Sequence, residues 1–126
     1  MATEFMLYIR NAGDAKASLS AADHLAFVRA CEAYIGRLKA GYHLIAAQPL
    51  GREGYVLSRS GQGWHHRPLD LSSEVQVGYY HILARDMEEA LKIARQNPEF
   101  AYVPSATIEV RPVKRQEEET RFIYPR

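Results

Sequence analysis

Five histidines, one cysteine and a few cations set beside aromatic rings carry whatever chemistry this 126-residue chain performs. His24 stands four residues after Ser20, one turn into an amphipathic stretch. A ring in that position feels the positive end of the helix dipole and partial burial, and both favour the neutral form that a general base needs. The same placement suits a packed histidine satisfied by a carbonyl. Trp64, His65, His66 and Arg67 are consecutive, with Asp70 two residues beyond Pro68. A Trp face and a guanidinium suit stacking and carboxylate binding, and His66 with Asp70 makes an acid–base pair. Equally, this cluster reads as a surface that docks on a second subunit. Arg10 closes an alternating apolar segment, where it either fixes a ligand's negative charge or caps a solvated strand end. Tyr80 and His81, with Tyr79, lie on the most apolar segment and are candidates to line a pocket, the tyrosines serving otherwise as aromatic core. Cys31 sits among helix-face apolar residues and reads as a small core hydrophobe. His65, His66 and His81 do not make a metal site, because adjacent residues of an extended chain point to opposite sides and no HxH or HxxxH spacing is present.

Several chemistries are excluded by what the chain lacks. It has no glycine-rich phosphate loop, nucleophile elbow, CxxC pair or zinc spacing, so no motif calls for a cofactor. The loop before His24 lacks the glycines of a dinucleotide site. With 16 basic against 15 acidic side chains, a formal charge of +1 supplies no bulk attraction to nucleic acid or to an anionic membrane. The single cysteine forbids an internal disulfide, and neither a leader-like start nor an apolar run of spanning length is visible, so the expectation is a cytoplasmic protein.

The elements that must position these residues are legible from period and punctuation. Residues 75–84 are apolar on both alternating sets, as in a strand covered on both faces. Asp86 with Glu89 forms a capping box, and Met87, Ala90, Leu91 and Ala94 follow at helical spacing until Asn97-Pro98 stops the ladder. Residues 107–113 alternate, with Ile108 and Val110 on one side. At the other end, Phe5, Leu7 and Ile9 predict a strand, residues 11–18 a small polar loop, and Ser20 with Asp23 the cap of a helix reaching about Ala40 with Gly41 as its stop. On that helix Phe27, Cys31, Tyr34, Ile35 and Leu38 share a face with His24. Residues 41–50 (GYHLIAAQPL) read as the second strand. Residues 51–73 predict a long loop or an extra hairpin, with a short strand at Tyr55, Val56 and Leu57, a turn over residues 60–63, and Trp64, His65 and His66 exposed.

The segment GYYHILARDMEEALKIARQNP followed by IEVRPV resembles the C-terminal half of the YCII-related family, in its DGPF-type branch. FMLYIR and GYHLIAAQPL resemble that family's first and second strands. The resemblance implies a ferredoxin-like β-α-β-β-α-β unit with an antiparallel sheet, α+β in class, paired with a second subunit as a dimeric α+β barrel. The chain departs from the family where its chemistry is placed. The family's helix histidine falls on Ala30 and its acidic partner near Lys39, while His66-Arg67-Pro68-Leu69 stands where the family has Asp-Gly-Pro-Phe, with Asp70 as a stand-in acid.

The expected organisation is one domain over residues 1–113 and a tail over 114–126. The tail starts as a charge run, whereas Phe122, Ile123 and Tyr124 are apolar enough to pack on the body or across a dimer. The functional expectation is a homodimer binding a small organic molecule in a barrel pocket without the family's usual His-Asp pair. The alternative is a small lyase or isomerase in which His24, or His66 with Asp70, moves a proton on a carbonyl compound while Arg10 or Arg67 holds its charge.

Overall fold

Phe5, Leu7 and Ile9 alternate along β1 (Thr3–Ala12), and all three are buried. The computed structural model describes residues 2–12 and 14–125; Gly13 of the expected polar loop, Arg126 of the tail and Met1 lie outside them. β1 runs two residues further than its apolar alternation suggests, because Asn11 pairs with Val75 and is itself buried at the next inward position. A 3-10 turn (Ala15–Ser18) then leads into α1 (Ala21–Ala40). The Ser20 hydroxyl accepts from the Asp23 N–H at 3.0 Å, satisfying one of the free amides of the first turn.

Beyond α1 come β2 (Leu44–Pro49), β3 (Tyr55–Ser60), β4 (Gly63–Pro68) and β5 (Glu74–Ala84). α2 (Met87–Arg95), the single turn α3 (Glu99–Tyr102) and β6 (Thr107–Pro112) complete the body. Four strands form one sheet in the order β2-β5-β1-β6, with every pairing antiparallel. β3 and β4 form a separate two-stranded sheet, so the extra segment of residues 51–73 is a hairpin. Its turn holds Gly61 at φ +49°, a conformation in which a Cβ is costly. The class is therefore α+β, and among the described residues no helix is long and apolar enough to cross a membrane.

Both helices pack on one face of the large sheet. Tyr34 and Leu38 of α1, and Ala90, Ile93 and Ala94 of α2, share a single core with Phe5, Leu7, Ile9, Tyr80, Ile82 and Ala84. Burial of one such large apolar side chain contributes about 1.5–3 kcal/mol. The inward stripe of α2 is rotated from the one its spacing suggests: Ile93 is buried, whereas Met87 and Leu91 stay exposed. Small Ala90 and Ala94 let the backbone of α2 approach the sheet, and Ile93 fills the space beside them. Asp86 caps this helix as expected, its Oδ1 accepting the Glu89 N–H at 2.9 Å. Glu89 returns the contact to the Arg85 N–H, one residue before the cap. At the end of α1 the left-handed position is taken by Tyr42 at φ +59°, one residue after the expected stop at Gly41.

The opposite sheet face carries no helix. Along it Met6 pairs with His81 and Arg111, and Tyr8 pairs with Tyr79 and Glu109. Within one chain β5 is thus buried on one face and half-buried on the other. Of the two placements expected for the tail, packing on the body of its own chain is not the one observed. Phe122, Ile123 and Tyr124 remain exposed and do not bury against the body of their own chain. Instead the tail closes on itself, with a bridge between Gln116 and Ile123 and a bond from the Glu117 N–H to the Phe122 carbonyl at 2.8 Å. Local backbone bonds satisfy this segment, so its rings need only meet each other, Phe122 against Tyr124 at 5.2 Å.

Candidate ligand-binding cavity

Between α1 and the sheet lies a cavity of about 580 Å³. Its walls are apolar: Ile9 from β1, Phe27, Val28 and Ile35 from α1, Ala47 from β2 and Val77 from β5. A register shift between Ile9 and Arg10 inserts an extra residue in β5 and opens the sheet here. Next to it, Gly78 lets β2 come close, since a Cβ on Gly78 would lie 3.2 Å from the Gln48 carbonyl oxygen.

Polar side chains line the cavity at two levels: the exposed His24, Gln48 and Arg52, and a more buried set that comes from three elements. Asn11 extends from the end of β1, Lys16 from the 3-10 turn, and Asn97 and Glu99 from the α2–α3 junction. Glu99 is 4% exposed. A carboxylate so placed is costly unless it is paired and hydrogen-bonded. Here the Asn11 side-chain N–H donates to Glu99 Oε2, and Lys16 Nζ lies 2.9 Å from the same oxygen. Lys16 Nζ also stands 4.4 Å from the Phe27 ring centroid, so the cation faces both an acid and a π surface. Asn97 Oδ1 accepts the Glu99 N–H at 2.9 Å, holding the first residue of α3 in place. Among the described residues, Asn97 Nδ2 is the one sealed side-chain polar atom with no hydrogen-bond partner.

Two further acids line the same cavity, and both are kept neutral. Burial, with the Glu99 carboxylate second, raises the Cys31 thiol above its ordinary value. Burial foremost, with added charge repulsion from Cys31, Tyr34 and Glu99, holds the Tyr80 phenol well above the usual tyrosine range. A protonated thiol is a poor nucleophile, so this arrangement favours hydrogen bonding over covalent attack.

The residues that the sequence marks for chemistry are dispersed by the fold. Tyr80 lines the cavity, and His24 borders it. His24 is exposed, which corrects the expectation of a ring packed on the apolar face, because the first turn of α1 has no neighbour covering it comparable to those around Tyr34 and Leu38. His81 and Arg10 belong to the other sheet face: His81 Nε2 is 2.8 Å from Glu4 Oε1, and Arg10 Nε is 3.8 Å from Glu74 Oε1. Trp64, His65, His66 and Arg67 stand on exposed β4, away from the cavity lining. There the Trp64 ring meets the Arg59 guanidinium at 5.4 Å, and the His66 ring meets Tyr55 at 5.3 Å. Asp70 accepts from the Ser72 N–H at 3.1 Å and the Ser72 hydroxyl at 2.6 Å, bonds that hold its carboxyl below the usual range and close the turn into β5. His66 and Asp70 are thus separate from His24 and from the cavity.

Asn11, Lys16, Asn97 and Glu99 were not singled out by sequence reasoning. Two signals were present. Asn11 continues the inward series Phe5, Leu7, Ile9 with a polar residue, and Glu99 is the one charge within the otherwise uncharged segment PEFAYV over residues 98–103. No group of three His, Cys, Asp or Glu side chains among the described residues is placed to hold a metal ion. No protein-family model matches the chain, and no curated protein matches it significantly.

Proposed function

We propose that this chain is a homodimeric, YCII-related protein that binds a small organic molecule in the cavity between α1 and the sheet. The observation that carries the reading is the cavity itself: about 580 Å³, apolar along its walls, with a small buried set of polar groups and the exposed His24, Gln48 and Arg52 beside them. That size and mixture are those of ordinary small-molecule sites. The strand order supports a ferredoxin-like unit, since β6-β1-β5-β2 is the order of that fold once the β3–β4 hairpin is set aside as an insertion. A second sheet laid over the half-buried row of Met6, Tyr8, Tyr79 and His81 would complete a dimeric barrel, and the exposed Phe122, Ile123 and Tyr124 are then the tail's contribution to the partner. Ala30 and Lys39 occupy the places of the family's histidine and acid, which favours binding over the family's own acid–base chemistry.

A proton-transfer enzyme of lyase or isomerase type is the second reading, favoured by the presence of His24 at the cavity. Of the groups that this reading invokes, His24 alone is placed there, so it rests on one residue.

Native mass spectrometry of the freshly purified protein tests the proposal. The expected result is a dimer that carries, or takes up, a small aromatic molecule. A monomer would overturn the assembly, and a dimer that takes up none would overturn the cavity reading.

A further inference from the structure

We propose that Glu99 is the group that selects the ligand, accepting a hydrogen bond from a neutral hydroxyl or N–H on an otherwise apolar molecule. The inference rests on the cavity reading and deepens it. The surroundings of Glu99 lead to this donor class. The Asn11 amide and the Lys16 ammonium both engage Oε2 of Glu99, so the acid is held from one side while Oε1 keeps its acceptor capacity. Lys16 already balances the charge of Glu99, so a cationic ligand would enter a site whose acid is paired. An anionic ligand would meet a buried carboxylate, whereas Arg52, the second cation of the lining, is exposed and its charge is screened by solvent. The neutral Cys31 and Tyr80 beside it add no charge of either sign, and the walls of Ile9, Phe27, Ile35 and Val77 suit an aromatic or alicyclic body. A donor and an apolar frame on one molecule satisfy all of these surroundings together.

Nothing in this assignment uses the histidines. Glu99 follows directly on Asn97-Pro98, and the Asn97 side chain sets its position through the bond to its N–H. Its side chain is therefore fixed before a ligand arrives, which lowers the ordering cost of recognition.

The test uses two matched probes on the full chain at neutral pH, 2-naphthol and 2-methoxynaphthalene, which share a ring system and differ in whether the oxygen can donate. Titration calorimetry should show wild-type protein binding the naphthol about tenfold more tightly, the usual scale for a hydrogen bond to a charged acceptor. Glu99→Gln should remove the preference, so that the variant binds the two probes equally. In the wild-type protein, the carboxyl carbon resonance of Glu99 should move on addition of naphthol and stay still with the methoxy compound, a readout that does not depend on the variant folding. Equal binding of the two probes by wild type, a preference that survives Glu99→Gln, or an unmoved carboxyl resonance would each overturn the assignment while leaving the cavity reading in place. Failure of wild type to bind either probe would overturn both.

Discussion

The ring of Tyr34 meets the ring of Tyr80 edge to face, with centroids 5.3 Å apart and planes 74° apart, while the Tyr34 hydroxyl donates to the Ile93 carbonyl at 2.8 Å. One side chain of α1 thereby touches β5 through its ring and α2 through its tip. The geometry is favourable for the ring quadrupoles, and the hydroxyl finds the partner that a buried phenol needs.

Tyr34→Phe separates these two contributions. The ring pair is kept and the hydroxyl bond is lost, so stability should fall by about 1–2 kcal/mol, as expected for a buried hydrogen bond whose acceptor is left behind. Urea unfolding followed by circular dichroism measures it. An unchanged midpoint with an unchanged slope would mean that the bond contributes nothing.

Tyr80 makes the protein sensitive to alkali. Its phenol is raised in the folded state, chiefly by burial, so between the ordinary tyrosine value and the raised one the folded chain holds a proton that the unfolded chain has released. This stability is fully present below about pH 10, the ordinary tyrosine range, and is lost as pH rises beyond it. Tyr80→Phe should therefore show a shallower decline of melting temperature across this range than wild type. Parallel declines would remove the argument. Tyr34 is raised for the same leading reason and should act in the same direction.

Arg115 holds the tail to the sheet. Its Nη1 lies 2.5 Å from Oε2 of Glu4, whose other oxygen is bonded to His81, and Glu4 is 9% exposed. Arg115→Ala should speed hydrogen exchange at the amides of Glu117 and Tyr124, which bond within the tail, while costing the whole fold about 1 kcal/mol or less because the guanidinium is itself partly solvated. Exchange rates equal to wild type would show that the tail is held by its own turn alone.

Much of the fold was legible because its signals are local. Asp86 and Ser20 cap their helices through bonds to residues three further on, so residue type and spacing suffice to find them. The alternation of Phe5, Leu7 and Ile9 identifies a strand and its inward face without reference to any neighbour. The span assigned to a loop or an added hairpin has clear turn residues, and it is a hairpin.

The candidate site was much less legible. Histidines and a Trp–Arg cluster attract notice by their chemistry, yet Trp64, His66 and Arg67 stand on an exposed hairpin, and His81 and Arg10 lie on the sheet face away from the helices. Residue type states what a side chain can do. Which face it occupies depends on register and on where the helices settle.

From the sequence alone came the helix caps and the strand alternation, each decided by contacts within a few residues, while the α+β class was what the resemblance to a family implied. Only the tertiary structure decided that Asn11 and Glu99, 88 residues apart, would meet. That meeting requires β1 to extend past its apolar stretch and α3 to begin immediately after Asn97-Pro98, and a buried carboxylate persists only where another element brings it a donor and a cation. Such pairing leaves no periodic mark in either segment, which is why the cavity's polar end became visible only once the chain had closed upon itself.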